Sequence, residues 1–171
     1  MNTSRLGLAL MHLLAKLPLP VLRGIGWGVG RLLFILAAPR RKIALRNLEL
    51  CFPEVPAAQR RAWAKETFVV FCQTFIDRSW LWFGSEALVR SRVQLTGALH
   101  ELEGDTATIV FAPHFYSMDA GGLALPLNTP REFTSIFATN PDPVLDAWFM
   151  AGRQRFGKVR MLNRADGVKP I

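Results

Sequence analysis

No aspartate or glutamate stands before Glu49, although eight basic residues do: Arg5, Lys16, Arg23, Arg31, Arg40, Arg41, Lys42 and Arg46. The formal charge of +8 therefore belongs entirely to this stretch, because the acids and bases beyond it cancel. A polar segment of this charge would read as a nucleic-acid-binding arm. This one is strongly apolar, which points to a bilayer surface and away from nucleic acid. Cysteine is scarce, with only Cys51 and Cys72. Their spacing excludes a disulfide framework or a Cys-x-x-Cys metal site, and both read as buried free thiols of a reducing compartment. No small-x-small cleavage pattern follows the apolar stretch, so it reads as retained. With half of the residues hydrophobic, disorder is excluded and one domain with a real core is expected.

The N-terminal quarter falls into two apolar runs, 5–17 and 21–38, parted by Pro18 and Pro20. Neither is a charge-free span of about 20 residues, so Arg23 and Arg31 have to snorkel or face protein. Gly24, Gly26, Gly28 and Gly30 form two overlapping G-x-x-x-G frames suited to close helix packing. They are not a dinucleotide loop, since no G-x-G-x-x-G register fits and no strand precedes them. After Pro39, the cluster RRKIALR suits an anionic cytoplasmic leaflet. Residues 1–39 thus read as a membrane anchor, either a single span or a deep interfacial helix, ahead of the alternative of a buried core helix.

From Pro56 to Phe83 the apolar positions Ala64, Phe68, Phe71 and Phe75 recur at helical spacing beside Trp63, Trp80 and Trp82. This predicts one long amphipathic helix whose aromatic richness reads first as core, with membrane-interface contact or acyl-chain packing as the alternative. Short apolar runs then alternate with helices. Arg92 to Leu95 and the continuously apolar ATIVFA (107–112) predict strands, the second buried. A helix is expected from about Ser117, a strand near Phe133 to Ala138, and a helix capped by Asp142 with Pro143 in its first turn. That helix has Val144, Leu145, Trp148 and Phe149 as a buried stripe. A strand at Lys158 to Leu162 and a turn at Asn163 to Gly167 follow. The alternation reads as α/β, a sheet flanked by helices.

APHFYSMDAGG follows the predicted strand 107–112, and α/β sites gather beyond the carboxyl ends of strands. His114 and Asp119 would lie about 140° apart on a continuous helix. Pairing them therefore requires a non-helical turn, which Pro113 before and Ala120, Gly121 and Gly122 after make plausible. A carboxylate on the imidazole fixes its tautomer and strengthens it as a general base, worth on the order of 100- to 10,000-fold in rate. A His and an Asp in one loop also occur as a purely structural pair. Ser117 has no G-x-S-x-G around it and reads as an N-cap. His12 and His100 have no carboxylate partner in sight, and no cluster has metal spacing. The tail 153–169 carries six bases and the single acid Asp166. It is either a solvated face or an anion-binding surface, with Arg153 and Arg155 able to grip phosphate in forked geometry.

Four stretches carry a resemblance over nearly the whole chain: RKIALRNLELCFPE (41–54), FAPHFYSMDAGG (111–122), NPDPVLDAWFMAGRQRFG (140–157) and RADGVKPI (164–171). In order and spacing the chain resembles the bacterial lipid A biosynthesis acyltransferases. The H-x-x-x-x-D/E element is shared with the wider glycerolipid acyltransferase superfamily, and the other stretches narrow it. The resemblance implies a glycerolipid-acyltransferase-like sheet in 40–171, incomplete because family members run on past the position of Ile171 and the chain is expected to be truncated there. It implies an inner-membrane enzyme that moves a fatty acyl group from acyl carrier protein to a hydroxyl of a lipid A precursor, with no further cofactor and no metal. His114 would be the base, Asp119 its orienter, and Arg153 the family's arginine near the active site. A glycerolipid acceptor and a non-catalytic membrane-bound remnant are the rival expectations.

Overall fold

The computed structural model describes residues 3–167, and the chain divides into two compact units. Residues 17–77 form one; the other combines residues up to Lys16 with those from Arg78 onward.

The first unit holds α2 (Leu19–Leu36), α3 (Ala38–Cys51) and α4 (Ala57–Phe83) as far as Asp77. The expected break falls at the prolines. Pro18 caps α2 in an extended conformation, and Pro20 sits in the first turn, where its missing N–H removes no helix bond. The buried residues of α2 are Leu22, Gly26, Gly30 and Phe34, four apart and hence on one face. This face lies antiparallel along α4. The Arg23 carbonyl accepts from Gln73 Nε2 at 3.0 Å, and the Phe34 and Phe68 rings meet edge to face at 5.5 Å. A Cβ on Gly30 would stand 2.5 Å from Val69 Cα, and one on Gly26 2.6 Å from Gln73 Cγ. A Cβ on Gly24 or Gly28 would meet nothing. One glycine frame is therefore packed within the unit and the other is open. Arg41 Nη1 donates to the Phe34 and Ile35 carbonyls at 2.5 and 2.7 Å, satisfying the last turn of α2. Among the described residues α2 is the one helix long and apolar enough to cross a membrane.

The helix expected from Pro56 to Phe83 is present, but its buried face is not the one that its phenylalanines suggest. Ala64, Val69, Cys72 and Ile76 are buried, whereas Phe71 and Phe75 are exposed. Aromatic bulk does not by itself choose the core face; the glycine surface of α2 admits smaller side chains. Cys51, expected to be buried, is exposed at the end of α3, while Cys72 is buried as expected.

The second unit contains α1 (Thr3–Leu14), the end of α4, α5 (Glu86–Arg92), α6 (Met118–Asn128), β1 (Glu132–Phe137), α7 (Pro143–Arg153) and β2 (Lys158–Asn163). β1 and β2 pair in parallel from Glu132 with Lys158 to Phe137 with Asn163, and α7 is the crossover that parallel strands require. Both strands fall where expected, and Asp142 caps α7 through the Val144 and Leu145 N–H groups at 2.8 and 3.3 Å. The stripe of α7 is half-buried rather than fully buried. Trp148 and Phe149 pack on Trp82 with ring centroids 4.4 and 5.5 Å away. Gly157 closes the turn into β2 at φ 62°, where a Cβ would also strike the Pro126 carbonyl of α6, so glycine is required twice over.

The α/β expectation needs correction. Among the described residues the fold is mostly helical with a two-stranded sheet. The segment 107–112 is extended but unpaired, with Ile109 97% and Phe111 89% exposed. Continuous apolarity marks a buried strand only where neighbouring strands supply a ladder. Here the tether is one side chain, Arg131, which donates to the Thr106 carbonyl at 2.5 Å. Arg92 to Leu95 is likewise no strand, because α5 runs through Arg92 and Val93 terminates it.

Candidate functional site

α6 positions Asp119. Leu123 and Ala124, each 1% exposed, bury one side of the helix, and Asp119 stands one turn before Leu123 on that side. In the first helical turn a carboxylate is favoured by the free N–H groups. Ser117 precedes it in the left-handed conformation at φ 64°, the only described non-glycine residue with positive φ. It stands at the N-cap position, but its side chain makes no capping bond. The non-helical turn expected between His114 and Asp119 is present at Tyr116 and Ser117.

Asp119 is the centre of the polar cluster. Its Oδ2 accepts from Arg78 Nε at 2.7 Å, and its Oδ1 faces Arg153 Nε at 3.4 Å. The Asp119 side chain is 14% exposed, against 23% for Arg78 and 37% for Arg153. Each carboxylate oxygen thus meets one guanidinium, and the group is held rather than free to rotate. Phe149 forms the floor for both arginines, with its centroid 5.7 Å from Arg78 Cζ and 5.4 Å from Arg153 Cζ. Trp82, whose ring packs against Phe149 at 5.5 Å, also lies 5.7 Å from Arg78 Cζ.

His114 is exposed in the extended segment just before the turn and makes no hydrogen bond or ion pair with Asp119. It does not follow a buried strand, because 107–112 is unpaired. Tyr116, two residues on, has its hydroxyl pushed above the ordinary value by burial. Of the two tail arginines, Arg153 ends α7 and reaches Asp119, whereas Arg155 is spent on backbone. Its guanidinium donates to the Leu81 carbonyl at 2.9 Å and to the Gly84 carbonyl, closing the C-terminus of α4. Burial pulls its pKa below the ordinary value. The remaining tail base, Lys169, lies outside the described residues. No group of three or more metal-ligating side chains occurs among the described residues.

Arg78 was not expected from the sequence. The available signal is the charged pair Asp77-Arg78 inside an otherwise aromatic and aliphatic run, where unpaired charges are costly and partners must exist.

The family described as bacterial lipid A biosynthesis acyltransferase matches residues 2–171. A lipid A biosynthesis acyltransferase of Haemophilus influenzae is 33% identical, over 94% of this chain and 52% of that protein. A lipid A biosynthesis lauroyltransferase of Escherichia coli K12 is 28% identical over 94% of this chain and 53% of its own length. A lipid A biosynthesis myristoyltransferase of the same strain is 30% identical over 89% and 46%. The chain therefore spans about half the length of the curated relatives it matches. No solved structure matches it. With a family match that runs through the apolar N-terminal segment, the His114 to Asp119 turn and the arginine-bearing end of α7, the chain belongs to the bacterial lipid A biosynthesis acyltransferases.

Proposed function

We propose that the protein carrying this chain transfers a fatty acyl group from acyl carrier protein to a hydroxyl of a lipid A precursor, at the cytoplasmic face of the inner membrane. The observation that carries the reading is the cluster at the start of α6: an exposed imidazole, a non-helical turn, and a carboxylate fixed by Arg78 and Arg153. The names of the relatives supply the acceptor class. His114 takes the proton of the acceptor hydroxyl as its oxygen attacks the thioester carbonyl. The carbon–oxygen bond forms, the carbon–sulfur bond breaks, and the proton passes from His114 to the departing thiolate. Asp119 orients the imidazole once the acceptor is bound. Arg153, more exposed than its partner Asp119, meets the phosphate or the developing oxyanion. Arg155 acts on substrate only through the turn that it holds against α4.

The apolar, acid-free N-terminal segment with α2 as its one candidate span supports a bilayer location. The test is transfer from labelled acyl carrier protein to a lipid A precursor in membranes bearing the complete protein. His114→Ala should lower the rate by about 100- to 10,000-fold. Undiminished transfer rejects the base, and turnover confined to a lysophosphatidic acid acceptor rejects the substrate class.

A further inference from the structure

We propose that Arg78 is a positioning residue for the acyl-transfer site: its Nε–H aims the Asp119 carboxylate, which in turn orients His114 once the acceptor is bound. The inference rests on the acyltransferase reading above. Three observations support it. The Arg78 contact at 2.7 Å is the short, charge-assisted one, while Arg153 stands at 3.4 Å. Arg78 is also the better buried of the two arginines, 23% exposed against 37%. Its guanidinium is itself fixed, packed near Trp82 one turn along its own helix and near Phe149 of α7. A planar guanidinium lying against two rings that pack on each other presents its edge donors in one direction, which an ammonium on a flexible stem does not do.

Without Arg78 the carboxylate has only the longer contact to Arg153 and swings toward it. The imidazole then loses its orienter, although every group that touches substrate is still present. Misplacement of this kind costs about 10- to 100-fold in turnover without weakening substrate binding. A phosphate-binding arginine behaves in the opposite way, raising KM for the phosphorylated acceptor when removed.

The experiment compares Arg78→Gln, Arg78→Lys and His114→Ala with the parent, using the complete protein in membranes. kcat and KM are measured for both substrates, with and without added guanidinium ion, and unfolding midpoints are recorded in detergent. The expected result is a kcat reduced about 10- to 100-fold in Arg78→Gln with KM unchanged. Guanidinium should restore part of that loss, and Arg78→Lys should recover less than guanidinium does. Unchanged kcat, or a loss that lies wholly in KM, overturns the proposal. If Arg78→Gln does not fold, Arg78→Lys decides by the same split between kcat and KM. If His114→Ala is as active as the parent, the acyltransferase reading itself has failed. If His114→Ala is inactive while Arg78→Gln keeps its kcat, only the role of Arg78 has failed.

Discussion

Arg23, in the most apolar helix of the chain, donates to Asp77 Oδ2 at 2.9 Å across 54 residues of sequence, and Asp77 is 4% exposed. The pair locks the register in which Gly26 and Gly30 meet Gln73 and Val69. Arg23, 38% exposed at its side chain, regains only part of its solvation when its acceptor is removed, so Asp77→Ala should cost about 1–3 kcal/mol of unfolding free energy in detergent. The double replacement Arg23→Leu with Asp77→Leu should cost less than the single one. An Asp77→Ala midpoint equal to that of the parent would show that the ion pair contributes nothing.

The two glycine frames of α2 should separate by substitution. Gly30→Ala forces a methyl into the α4 backbone and should destabilise by about 1–3 kcal/mol. Gly28→Ala meets open space and should be neutral or stabilising by up to about 1 kcal/mol, since alanine is the better helix former. Equal effects at both positions in a thermal melt would contradict the packing described.

Leu123 holds the helix that carries Asp119 and is 1% exposed. Leu123→Ala should cost about 2–5 kcal/mol, read from denaturant unfolding. Acyl transfer should fall with stability and recover on cooling, unlike the loss in His114→Ala.

The Asp142 carboxyl is held below its ordinary 3.8, first by the Ser4 hydroxyl and then by the N–H groups of Leu145 and Val144, with desolvation opposing. A depressed folded pKa stabilises fully above the unfolded value and loses that contribution as pH falls through the folded one. Asp142→Asn, which can still cap α7, should therefore flatten the loss of stability seen on acidification below 3.8 and leave α7 intact at neutral pH. Parallel acid titrations of unfolding midpoint for the two proteins would argue against it.

Cys51 is exposed on α3, the helix bearing Arg40, Arg41 and Lys42, while Cys72 is buried with its thiol pushed up by desolvation. The chain thus contains its own topology reporter. A membrane-impermeant maleimide should modify Cys51 in inverted inner-membrane vesicles and spare it in intact cells. Modification from the periplasmic side would refute the cytoplasmic placement of the basic cluster.

Elements with local signals were legible in the sequence. Asp142 and Pro143 mark α7, Pro18 and Pro20 the break before α2, and the segments Phe133 to Ala138 and Lys158 to Leu162 the two strands, each within a residue of its observed bounds. Each depends on chemistry within a few residues of itself. Ala107 to Ala112 was misread because a strand is defined by its neighbours, and none pairs with it among the described residues. The burial of α4 was misread at Phe71 and Phe75 because helical spacing locates a face without saying what packs on it. At the site, Asp119 meets Arg153, whereas the pairing that the sequence suggests between His114 and Asp119 is not made. Arg78 could not be reached by spacing, since it lies 41 residues before its partner on a different helix.

α1 has the composition of a segment that is commonly deleted to make a protein easier to handle, yet Met11 is buried, the His12 ring packs edge-on to Phe83 at 4.9 Å, and Ser4 bonds to Asp142. These contacts brace the start of α7 and the end of α4, the two helices that contribute Arg153 and Arg78. Trimming the first sixteen residues for solubility would therefore loosen both guanidinium-bearing supports of the Asp119 carboxylate, and a purification handle is better placed anywhere else.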